Sequence, residues 1–408
     1  MGANPLGWAG YGAQLGRARS VTGGDEAVSW ERRGDAVAIS FDFRFLGGSV
    51  GTATGDLIEE AFAEAGSEGL PVVSVIATGG SRMQEGMASL RQLQRISHLC
   101  ARHAEVGLPH VSVLCDPTTG GIWASLGAGA DVVLAVPGAQ VGFAGSRVRP
   151  GPDPAYTSEG QFEAGAVDLV VEPAELGGVL GALLPLLMGG DLRPASVPRA
   201  LGLTDLPADG WAAVERARAA ERPRAAAYLD DYFTARVPFS GDRAGGVDPG
   251  MLCGIGLHEG RSVVYAAQTG TANTPAGFRT ASRVVRLADR LGLPVLTLVD
   301  TPGAANDAAA ERAGVGPAIA GLFATMASAR VPVTTLVIGE GGSGGALALA
   351  SPDQTWIAPD AYFSVIAPEL AAAILKRDPA QVAATADQLK LRPQDLVDLG
   401  IVRGIAGP

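Results

Sequence analysis

The sequence is poor in cysteine, histidine and lysine, which argues against several kinds of chemistry. Its 408 residues include three cysteines, four histidines and two lysines. Cys100, Cys115 and Cys253 are dispersed, so they predict neither a disulfide framework nor a paired zinc knuckle. Cys100 lies close to His98 and His103, but these residues fall in a helical stretch and no second ligand pair follows. We therefore interpret Cys100 as a packing residue and expect no zinc or other metal.

Long hydrophobic runs are also missing. The longest, Leu176–Met188, has 13 residues and contains Pro185, so it is too short and too interrupted to cross a membrane. The N-terminus lacks the charged start and apolar block of a secretory signal, and we therefore expect a cytoplasmic protein. A formal net charge of −11 argues against nucleic acid as a partner. With 47% hydrophobic and 18% charged residues, the composition predicts a packed globular protein of two or three domains.

Glycine is abundant, with 57 residues, and it clusters after apolar segments in two similar halves of the chain. The run GLPVVSVIATGG at Gly69–Gly80 is similar to GLPVLTLVDTPG at Gly292–Gly303. In each half the proline of this run is followed 38 residues later by another, Pro109 or Pro332, which opens a second run rich in Val, Leu and Thr. Such runs are typical of buried strands, and their shared spacing predicts an internal duplication.

The repeat divides the chain into three predicted parts. Residues 1–190 form a first α/β domain, and residues 242–408 form a second. Residues 191–241 are rich in Pro, Ala and Arg and lack strand-like runs. Because Trp211–Phe233 has a helical pattern that Pro223 interrupts, we expect this middle part to be a helical bridging segment.

Four of the predicted strand ends carry small residues that lead into a helix. They are Thr78-Gly79-Gly80-Ser81, Thr119-Gly120-Gly121, Thr301-Pro302-Gly303 and Ser343-Gly344-Gly345. The first amides of a helix are unpaired, and glycine lets a ligand oxygen approach them closely, so such turns can bind an oxyanion or a phosphate. No Gly-Lys-Ser/Thr follows Gly339–Gly345, which disfavours a nucleotide loop. Since no histidine accompanies an obvious nucleophile, we expect backbone amides to carry the chemistry.

At these residues the sequence resembles the carboxyltransferase component of bacterial acetyl-CoA carboxylase, with its beta and alpha subunits fused in one chain. The first half is similar to the beta subunit at Leu46–Ile58, Thr78–Leu90, Asp116–Ser125 and Gly142–Val148. The second half is similar to the alpha subunit at Ala276–Ala304, Val337–Ala350 and Phe363–Asp378. The resemblance implies an α/β fold of two tandem crotonase-like ββα-spiral domains related by duplication. It assigns the acyl-CoA side to residues 1–190 and the biotin side to residues 242–408.

The resemblance also implies a reaction. A carboxyl group would pass between carboxybiotin on a carrier protein and the α-carbon of an acyl-CoA such as acetyl-CoA, giving malonyl-CoA. The amides of Gly120 and Gly121 would hold the thioester enolate, and those of Gly344 and Gly345 the ureido oxygen of biotin, which itself supplies the base. The substrate-binding residues would be Gly79, Gly80, Arg82, Gly142, Phe143, Ala144, Arg147 and Gly303. Arg147 is a candidate for a CoA phosphate, although each arginine could equally form a structural ion pair.

Cofactor and partners follow from the same resemblance. Neither Lys376 nor Lys390 lies in a biotin-attachment turn, so we expect no covalent biotin here. A biotin carrier protein and a biotin carboxylase would be separate partners, and CoA or an acyl carrier protein would present the acyl group. At least a homodimer is implied.

The sequence departs from the family pattern in two places, which leaves alternatives open. Residues 1–45 lack the family's four-cysteine zinc ribbon, and Gln268–Gly277 lacks its basic stretch. One alternative is a biotin-independent decarboxylase of malonyl-CoA or malonyl-carrier-protein thioesters. Another is a non-catalytic member that acts as a subunit or scaffold.

Overall fold

The computed structural model describes residues 4–408, which fall into two compact units. The chain passes from the first unit to the second between Met188 and Gly189. Residues 191–241, for which we predicted a bridging role, group with the second unit. The assignment of an acyl-CoA side and a biotin side to the two halves stays a prediction.

The first unit is built on one seven-stranded sheet, in which the strands run in the order β1-β2-β3-β4-β5-β7 and the short β6 pairs with β4. The strands are β1 Val28–Arg33, β2 Ala36–Phe41, β3 Val72–Thr78, β4 His110–Thr119, β5 Val132–Ala135, β6 Val141–Gly142 and β7 Leu169–Val170. Only β1 is antiparallel to its neighbour. The other strands therefore end at one edge of the sheet, where the predicted glycine turns follow β3 and β4.

Helices cover the sheet of the first unit. They are α1 Tyr11–Thr22, α2 Thr52–Glu68, α3 Met87–Glu105, α4 Ser158–Glu163 and α5 Leu176–Met188, with short helical turns at Leu46–Gly48, Met83–Glu85, Trp123–Gly127 and Pro154–Tyr156. Ile58 and Phe62 of α2 and Ile96 of α3 are buried in one core with Ile39 and Ile76 of the strands. Each such side chain contributes about 1.5–3 kcal/mol by leaving water, and this burial fixes the helices against the strands.

The second unit has a sheet of the same size, with the order β13-β12-β11-β10-β9-β8 and β14 paired with β12. The strands are β8 Ala235–Phe239, β9 Met251–His258, β10 Arg261–Gln268, β11 Val295–Thr301, β12 Val333–Gly342, β13 Thr355–Ile357 and β14 Tyr362–Ser364. The β8-β9-β10 pairs are antiparallel and the remaining pairs are parallel. The glycine turns after β11 and β12 again share one edge.

Nine helices are described in residues 189–408. They are α6 Gly210–Arg218, α7 Ala225–Tyr232, α8 Pro275–Leu291, α9 Ala308–Arg312, α10 Val315–Ser328, α11 Ser343–Leu347, α12 Pro368–Ile374, α13 Val382–Gln388 and α14 Pro393–Asp398, with a short turn at Pro379–Gln381. The predicted interruption at Pro223 is confirmed, because it lies between α6 and α7. Helix α8 starts at a proline and ends at Gly292 in the left-handed conformation (φ 68°), the usual proline-first, glycine-last pattern.

Most of the two sheets repeats: the order β1-β2-β3-β4-β5 with β6 on β4 corresponds to β9-β10-β11-β12-β13 with β14 on β12, whereas β7 and β8 lie outside this repeat. In the first unit β3 and β4 pair from Val72↔His110, shift register once, and then pair Thr78 with Thr118. In the second unit β11 and β12 pair from Val295↔Val333, shift register at the same place, and then pair Thr301 with Gly341. The equivalent residues are 223 positions apart in the sequence. The predicted duplication is thus confirmed in the strand order and in the register.

One strand lies where we predicted none. Residues 191–241 contain the two predicted helices, but also β8, whose sequence is ARVPF. Pro238 hid this strand, because proline disfavours the interior of a sheet. It is tolerated here because β8 is the edge strand and pairs only with β9.

Within residues 4–408, no helix combines the length and the apolar character needed to cross a membrane. The apolar run that we singled out forms α5, which has 13 residues and keeps Pro185 inside it.

Candidate active site

In the first unit, the turns after β3 and β4 touch each other through glycine backbone. Gly80 has φ 106° and Gly120 has φ 75°, backbone conformations that residues with a side chain rarely adopt. A Cβ on Gly120 would lie 3.1 Å from the Cα of Gly80. Glycine is therefore required at both positions, for backbone conformation and for the close approach of two turns.

The amides of these turns differ in what they can still bind. Gly79 donates to the carbonyl of Gly47 (2.8 Å), and Gly120 donates to the carbonyl of Gly142 (3.1 Å). Gly80 donates to the hydroxyl of Thr78 (3.0 Å). In residues 4–408 the Gly121 amide, at the start of the following helix, has no acceptor. Of the four predicted glycines, Gly121 is thus the one whose amide is available to a ligand oxygen.

The second unit repeats the arrangement with different side chains. Gly303 has φ 140° and donates to the hydroxyl of Thr301 (3.1 Å), as Gly80 does to Thr78. The amide of Gly344, in the first turn of α11, has no acceptor in the described chain, and a Cβ on Gly344 would meet nothing within 4 Å. Gly345 is buried, and a Cβ there would lie 2.5 Å from the amide nitrogen of Ala304. Open space therefore adjoins Gly344, whereas Gly345 is a packing position.

Sequence reading paired the two glycine doublets one residue out of register. The strand register makes Gly121 of the first unit equivalent to Gly344 of the second, and Gly120 equivalent to Ser343. The backbone agrees, because Ser343 has φ 59°, matching the left-handed Gly120. The sequence GGSGG at residues 341–345 contains two glycine doublets. Sequence alone does not show which of its residues are equivalent to Gly120 and Gly121, whereas the strand register does.

Ser343 is a residue that our sequence reading missed. Residues 341–345 fit the pattern G-x-S-x-G. The serine is exposed and is the first residue of α11, directly after β12, a strand-to-helix context typical of a nucleophilic serine. A nucleophile of this kind needs a base within hydrogen-bonding reach. His258, the histidine of this unit, lies at the end of β9, beside the start of β10 and thus at the opposite edge of the sheet. The arrangement favours chemistry by amides over chemistry by the hydroxyl.

Arg82, predicted to bind substrate, is enclosed by protein. Its guanidinium donates to both carboxylate oxygens of Glu26 (2.8 and 2.5 Å) and to the carbonyl of Ser49 (2.6 Å), and its side chain has no exposed surface. Burial opposes the charge, but the hydrogen bonds and charge of Glu26 outweigh burial and raise the pKa of Arg82. Arg82 thus connects the turns around Gly80 and Ser49, and any effect on a ligand passes through them.

A second acid completes this buried cluster. Glu85 accepts hydrogen bonds from the amide (2.7 Å) and hydroxyl (2.9 Å) of Thr52 at the start of α2, and from the hydroxyl of Tyr11 (2.7 Å). Burial, together with the bond to Glu85, raises the pKa of Tyr11 to about 12. Helix α1 is thereby tied to the loops that carry the glycine turns.

The segment after β6 lies beside the Gly120 turn, because Gly142 accepts the Gly120 amide and Gly145 approaches the Thr119 hydroxyl. Phe143 is 72% exposed, and Ala144 is partly exposed. Arg147 is exposed and makes no ion pair within residues 4–408. Phe143 and Ala144 are thus exposed in a segment that contacts the turn on both sides of them, through Gly142 and Gly145.

In the second unit, Gln268 links the strand ends, although sequence reasoning overlooked it. It is fully buried at the end of β10, donates from Nε2 to the carbonyl of Gly345 (3.0 Å) and accepts the amide of Asp300 at Oε1 (3.3 Å). The sequence did offer a signal for Gln268, because it is a polar residue at the end of an otherwise apolar strand.

The described residues show no metal centre. Among residues 4–408, no group of three or more His, Cys, Asp or Glu side chains could hold a metal ion. Cys100 is partly buried, with its Sγ 3.9 Å from Nδ1 of His110, and burial raises the pKa of its thiol to about 12.

Two family models match the chain. Residues 206–407 match the model described as acetyl co-enzyme A carboxylase carboxyltransferase-like, and residues 14–150 match the carboxyl transferase domain. The carboxyl transferase domain match lies within the first unit, and the carboxyltransferase-like match lies within the second.

Curated relatives extend over nearly the whole chain. The acetyl-coenzyme A carboxylase carboxyl transferase subunits beta/alpha of Salinispora arenicola is 42% identical, over 97% of this chain and 75% of the relative. A probable biotin-dependent acyl-coenzyme A carboxylase beta3 subunit of Mycobacterium bovis is 33% identical, over 96% of this chain and 82% of the relative.

Solved structures share the fold. The 12S component of transcarboxylase, a hexamer with hydrolysed methylmalonyl-coenzyme A bound, superimposes with a TM-score of 0.77 at 20% identity, over 93% of this chain and 78% of the other. A single-chain long-chain acyl-CoA carboxylase gives a TM-score of 0.72 at 22% identity, over 91% of this chain and 39% of the other. The predicted crotonase-like fold is confirmed.

Fold, duplicated amide turns and relatives together define an acyl-CoA carboxyltransferase, the class of enzyme predicted from the sequence. The chain belongs to the carboxyltransferase family of acetyl-CoA carboxylase, in the form that joins the beta and alpha subunits in one polypeptide.

Proposed function

We propose that this chain moves a carboxyl group between carboxybiotin on a separate carrier protein and the α-carbon of a CoA thioester, with acetyl-CoA and malonyl-CoA as the pair. One observation carries the proposal. Two turns at equivalent positions of the duplicated fold each present an amide without an internal acceptor, Gly121 in the first unit and Gly344 in the second. A transferase with two substrates, each developing charge on an oxygen, needs two such places.

In the first unit, the ligand is proposed to be the thioester. When the α-carbon carries negative charge, that charge is delocalised onto the thioester oxygen as an enolate. The Gly121 amide, at the positive end of a helical turn, is preorganised to donate to this oxygen, and the left-handed Gly120 sets its direction. Phe143, Ala144 and Arg147 are proposed to contact the acyl-CoA, with Arg147 the candidate partner for a phosphate.

In the second unit, the ligand is proposed to be biotin, which when bound supplies the carboxyl group and the base. The fit is favourable, because space adjoins the free Gly344 amide and an approaching ureido carbonyl oxygen would meet no Cβ. Gly345 supports the turn by packing on Gly303 and Ala304, and Gln268 holds its carbonyl. Protein residues here orient the oxygen and stabilise its negative charge by hydrogen-bond donation, and no side-chain base is required.

We also propose the partner proteins, the cellular compartment and the oligomeric state, as expected for a member of this family. Biotin would arrive on a carrier protein charged by a biotin carboxylase, since neither Lys376 nor Lys390 lies in an attachment turn. The acyl group would be presented by CoA or by an acyl carrier protein. We place the enzyme in the cytoplasm, as at least a homodimer.

The test is a carboxyl transfer assay with the purified chain, malonyl-CoA and biocytin, a free biotin amide. We expect acetyl-CoA to form in proportion to biocytin, with no turnover when biocytin is omitted. Acetyl-CoA and carbon dioxide released at the same rate without biocytin would instead establish the decarboxylase, which needs only the turn of the first unit. No turnover with malonyl-CoA, biocytin or a biotinylated carrier would favour the non-catalytic alternative.

A further inference from the structure

In the second unit, a buried carboxylate is shared by two arginines next to the proposed biotin-side turn. Asp300, near the end of β11, has no exposed side-chain surface. Its Oδ1 accepts a hydrogen bond from Nη2 of the buried Arg222 (2.6 Å) and from the amide of Glu340 (3.2 Å). Its Oδ2 lies 3.5 Å from Nη1 of Arg224. The single negative charge of Asp300 is therefore shared by two guanidinium groups, and Arg222 makes the shorter hydrogen bond to it.

Arg224 is the arginine with unused capacity. Its side chain is 39% exposed, against 3% for Arg222. A guanidinium has five N–H donors, and within residues 4–408 the long contact with Asp300 is its one hydrogen bond. Gly270, with φ 95°, leaves room for this group, because a Cβ there would overlap Nη1 of Arg224. The chain thus holds a partly exposed cation in place and leaves most of its donors unpaired.

Three hydrogen bonds connect the surroundings of this cation to the Gly344 turn. The amide of Asp300 donates to Gln268, and Gln268 donates to the carbonyl of Gly345 in α11 (3.0 Å). The amide of Gly270 donates to the carbonyl of Asp300 (2.7 Å). Arg224, Asp300 and the Gly344 turn therefore share one edge of the sheet and are connected through a single buried side chain.

The remaining charges nearby are already paired. Arg218 bonds Glu340 (2.8 Å) and Glu369 (2.5 Å), and Glu340 also accepts the hydroxyl of Tyr362 (2.8 Å). This neighbouring group has two acids for one base, so its arginine is not available. Arg224 is the cation at this edge that an incoming anion could engage, and a guanidinium can bind a carboxylate through two parallel hydrogen bonds.

We infer that Arg224 binds the carboxylate of the biotin-side substrate, so that it determines specificity on the second unit. The inference rests on the proposed function. The anion is the carboxyl group in its biotin-bound form, held by Arg224 while the ureido oxygen faces the Gly344 amide. In transfer from malonyl-CoA to biocytin, Arg224 would therefore act on the carboxylated biotin as it forms. Gln268–Gly277 contains no basic residue of its own, and Arg224 supplies one to this loop from the start of α7.

The experiment uses the full chain and measures transfer from malonyl-CoA to biocytin for wild type, Arg224→Gln and Arg224→Lys. Hydrogen bonds to charged groups are among the stronger ones, so kcat/KM for biocytin is expected to fall about tenfold or more in Arg224→Gln. It should fall less in Arg224→Lys, which keeps the charge without the planar donors. The KM for malonyl-CoA should stay within about twofold, because that substrate occupies the first unit.

Arg236→Gln is the matched control. Arg236 is 30% exposed, lies in the same unit and pairs with Asp230 (2.6 Å), and its replacement should leave both constants unchanged. If Arg224→Gln keeps the wild-type melting temperature and the wild-type kcat/KM for biocytin, the inference is overturned while the proposed function stands. A parallel rise in KM for malonyl-CoA would also overturn it. A wild-type chain that transfers no carboxyl group to biocytin overturns the proposed function, and the inference with it.

Discussion

Gly121 and Gly344 occupy equivalent places in the two units, yet their surroundings differ. A Cβ on Gly121 would overlap the side chain of Leu93, whereas one on Gly344 would enter open space. The first glycine is therefore a packing position as well as the proposed donor. The second can be substituted with little effect on packing, which allows the role of its amide to be tested separately from folding.

Replacing Gly344 by Leu should fill the space beside its amide and prevent an oxygen from reaching it. Loss of one oxyanion donor reduces kcat by about 10²–10³-fold in other enzymes, and we expect a reduction of that order in transfer to biocytin. The melting temperature should change little, because nothing lies within 4 Å of the new Cβ. Gly321→Leu, at an exposed and equally open position of α10, is the control. Transfer at the wild-type rate in Gly344→Leu would remove this amide from the mechanism.

His110 should make the protein less stable as the pH falls. Burial, with a smaller effect of His103, lowers its pKa to about 3, so the folded imidazole stays neutral at pH 5 while an unfolded one, with a pKa near 6.5, takes a proton. Below about pH 6.5 the unfolded state thus binds more protons. This residue alone then lowers the free energy of unfolding by about 1.4 kcal/mol per pH unit, a loss that continues until the folded pKa is reached.

Urea unfolding at pH 7, 6 and 5 checks this expectation. His110→Gln removes the titrating group and should make the fall in stability with decreasing pH shallower. His98→Gln, on the exposed face of α3, should keep the wild-type slope. Equal slopes in wild type and His110→Gln would show that His110 does not control the acid response.

At the scale of elements, α1 and the segment just before β1 hold the loops around the glycine turns of the first unit. Tyr11 of α1 bonds Glu85, and Glu26, just before β1, pairs with Arg82 at the loop that follows Gly80. The first residues of the unit thus take part in shaping its turns.

Glu26→Gln should leave the buried guanidinium of Arg82 without its counter-charge. Removing one member of a buried ion pair costs about 3–5 kcal/mol, and we expect a loss of that size in the free energy of unfolding. The neighbouring Asp25 provides the control, since its fully exposed carboxylate is 3.8 Å from Arg19 and its replacement by Asn should leave the unfolding curve essentially unchanged. Similar unfolding curves for the two variants would contradict a stabilising role for the buried pair.

At the scale of the whole molecule, both units leave apolar side chains exposed beside their glycine turns. Phe143 follows β6 and is 72% exposed, and Val365 follows β14 at the equivalent position and is 71% exposed. Met83 and Met87 are exposed in the first unit, near the Gly80 turn. Large apolar side chains exposed next to a site often mark an association surface.

The wild-type chain is expected to be at least a dimer by light scattering. Phe143→Glu should shift it toward monomer and reduce transfer activity, because a charge at a buried contact is costly. Val106→Glu, on an exposed valine at the end of α3, should leave the size unchanged. A monomeric wild type would contradict the proposed assembly.

Much of the fold was predictable because the signals were local. Prolines that open Val-rich runs, and glycines that close them, placed β3, β4, β11 and β12, and the repeated spacing of 38 residues predicted the duplication. β8 was missed because its Pro238 is acceptable only at an edge, and which strand forms the edge depends on the whole sheet. The buried state of Arg82 was not predictable, because its partner Glu26 is 56 residues away.

The sequence by itself determined the family, the fold and the strand ends at which amides could act, because glycine, proline and apolar runs have local meanings. Only the tertiary structure decided which amides remain without an acceptor. Gly79, Gly80, Gly120 and Gly303 use theirs inside the turns, while Gly121 and Gly344 do not. That distinction depends on which carbonyl or hydroxyl lies opposite each N–H, and such partners are set by strand register and by the packing of one turn on another.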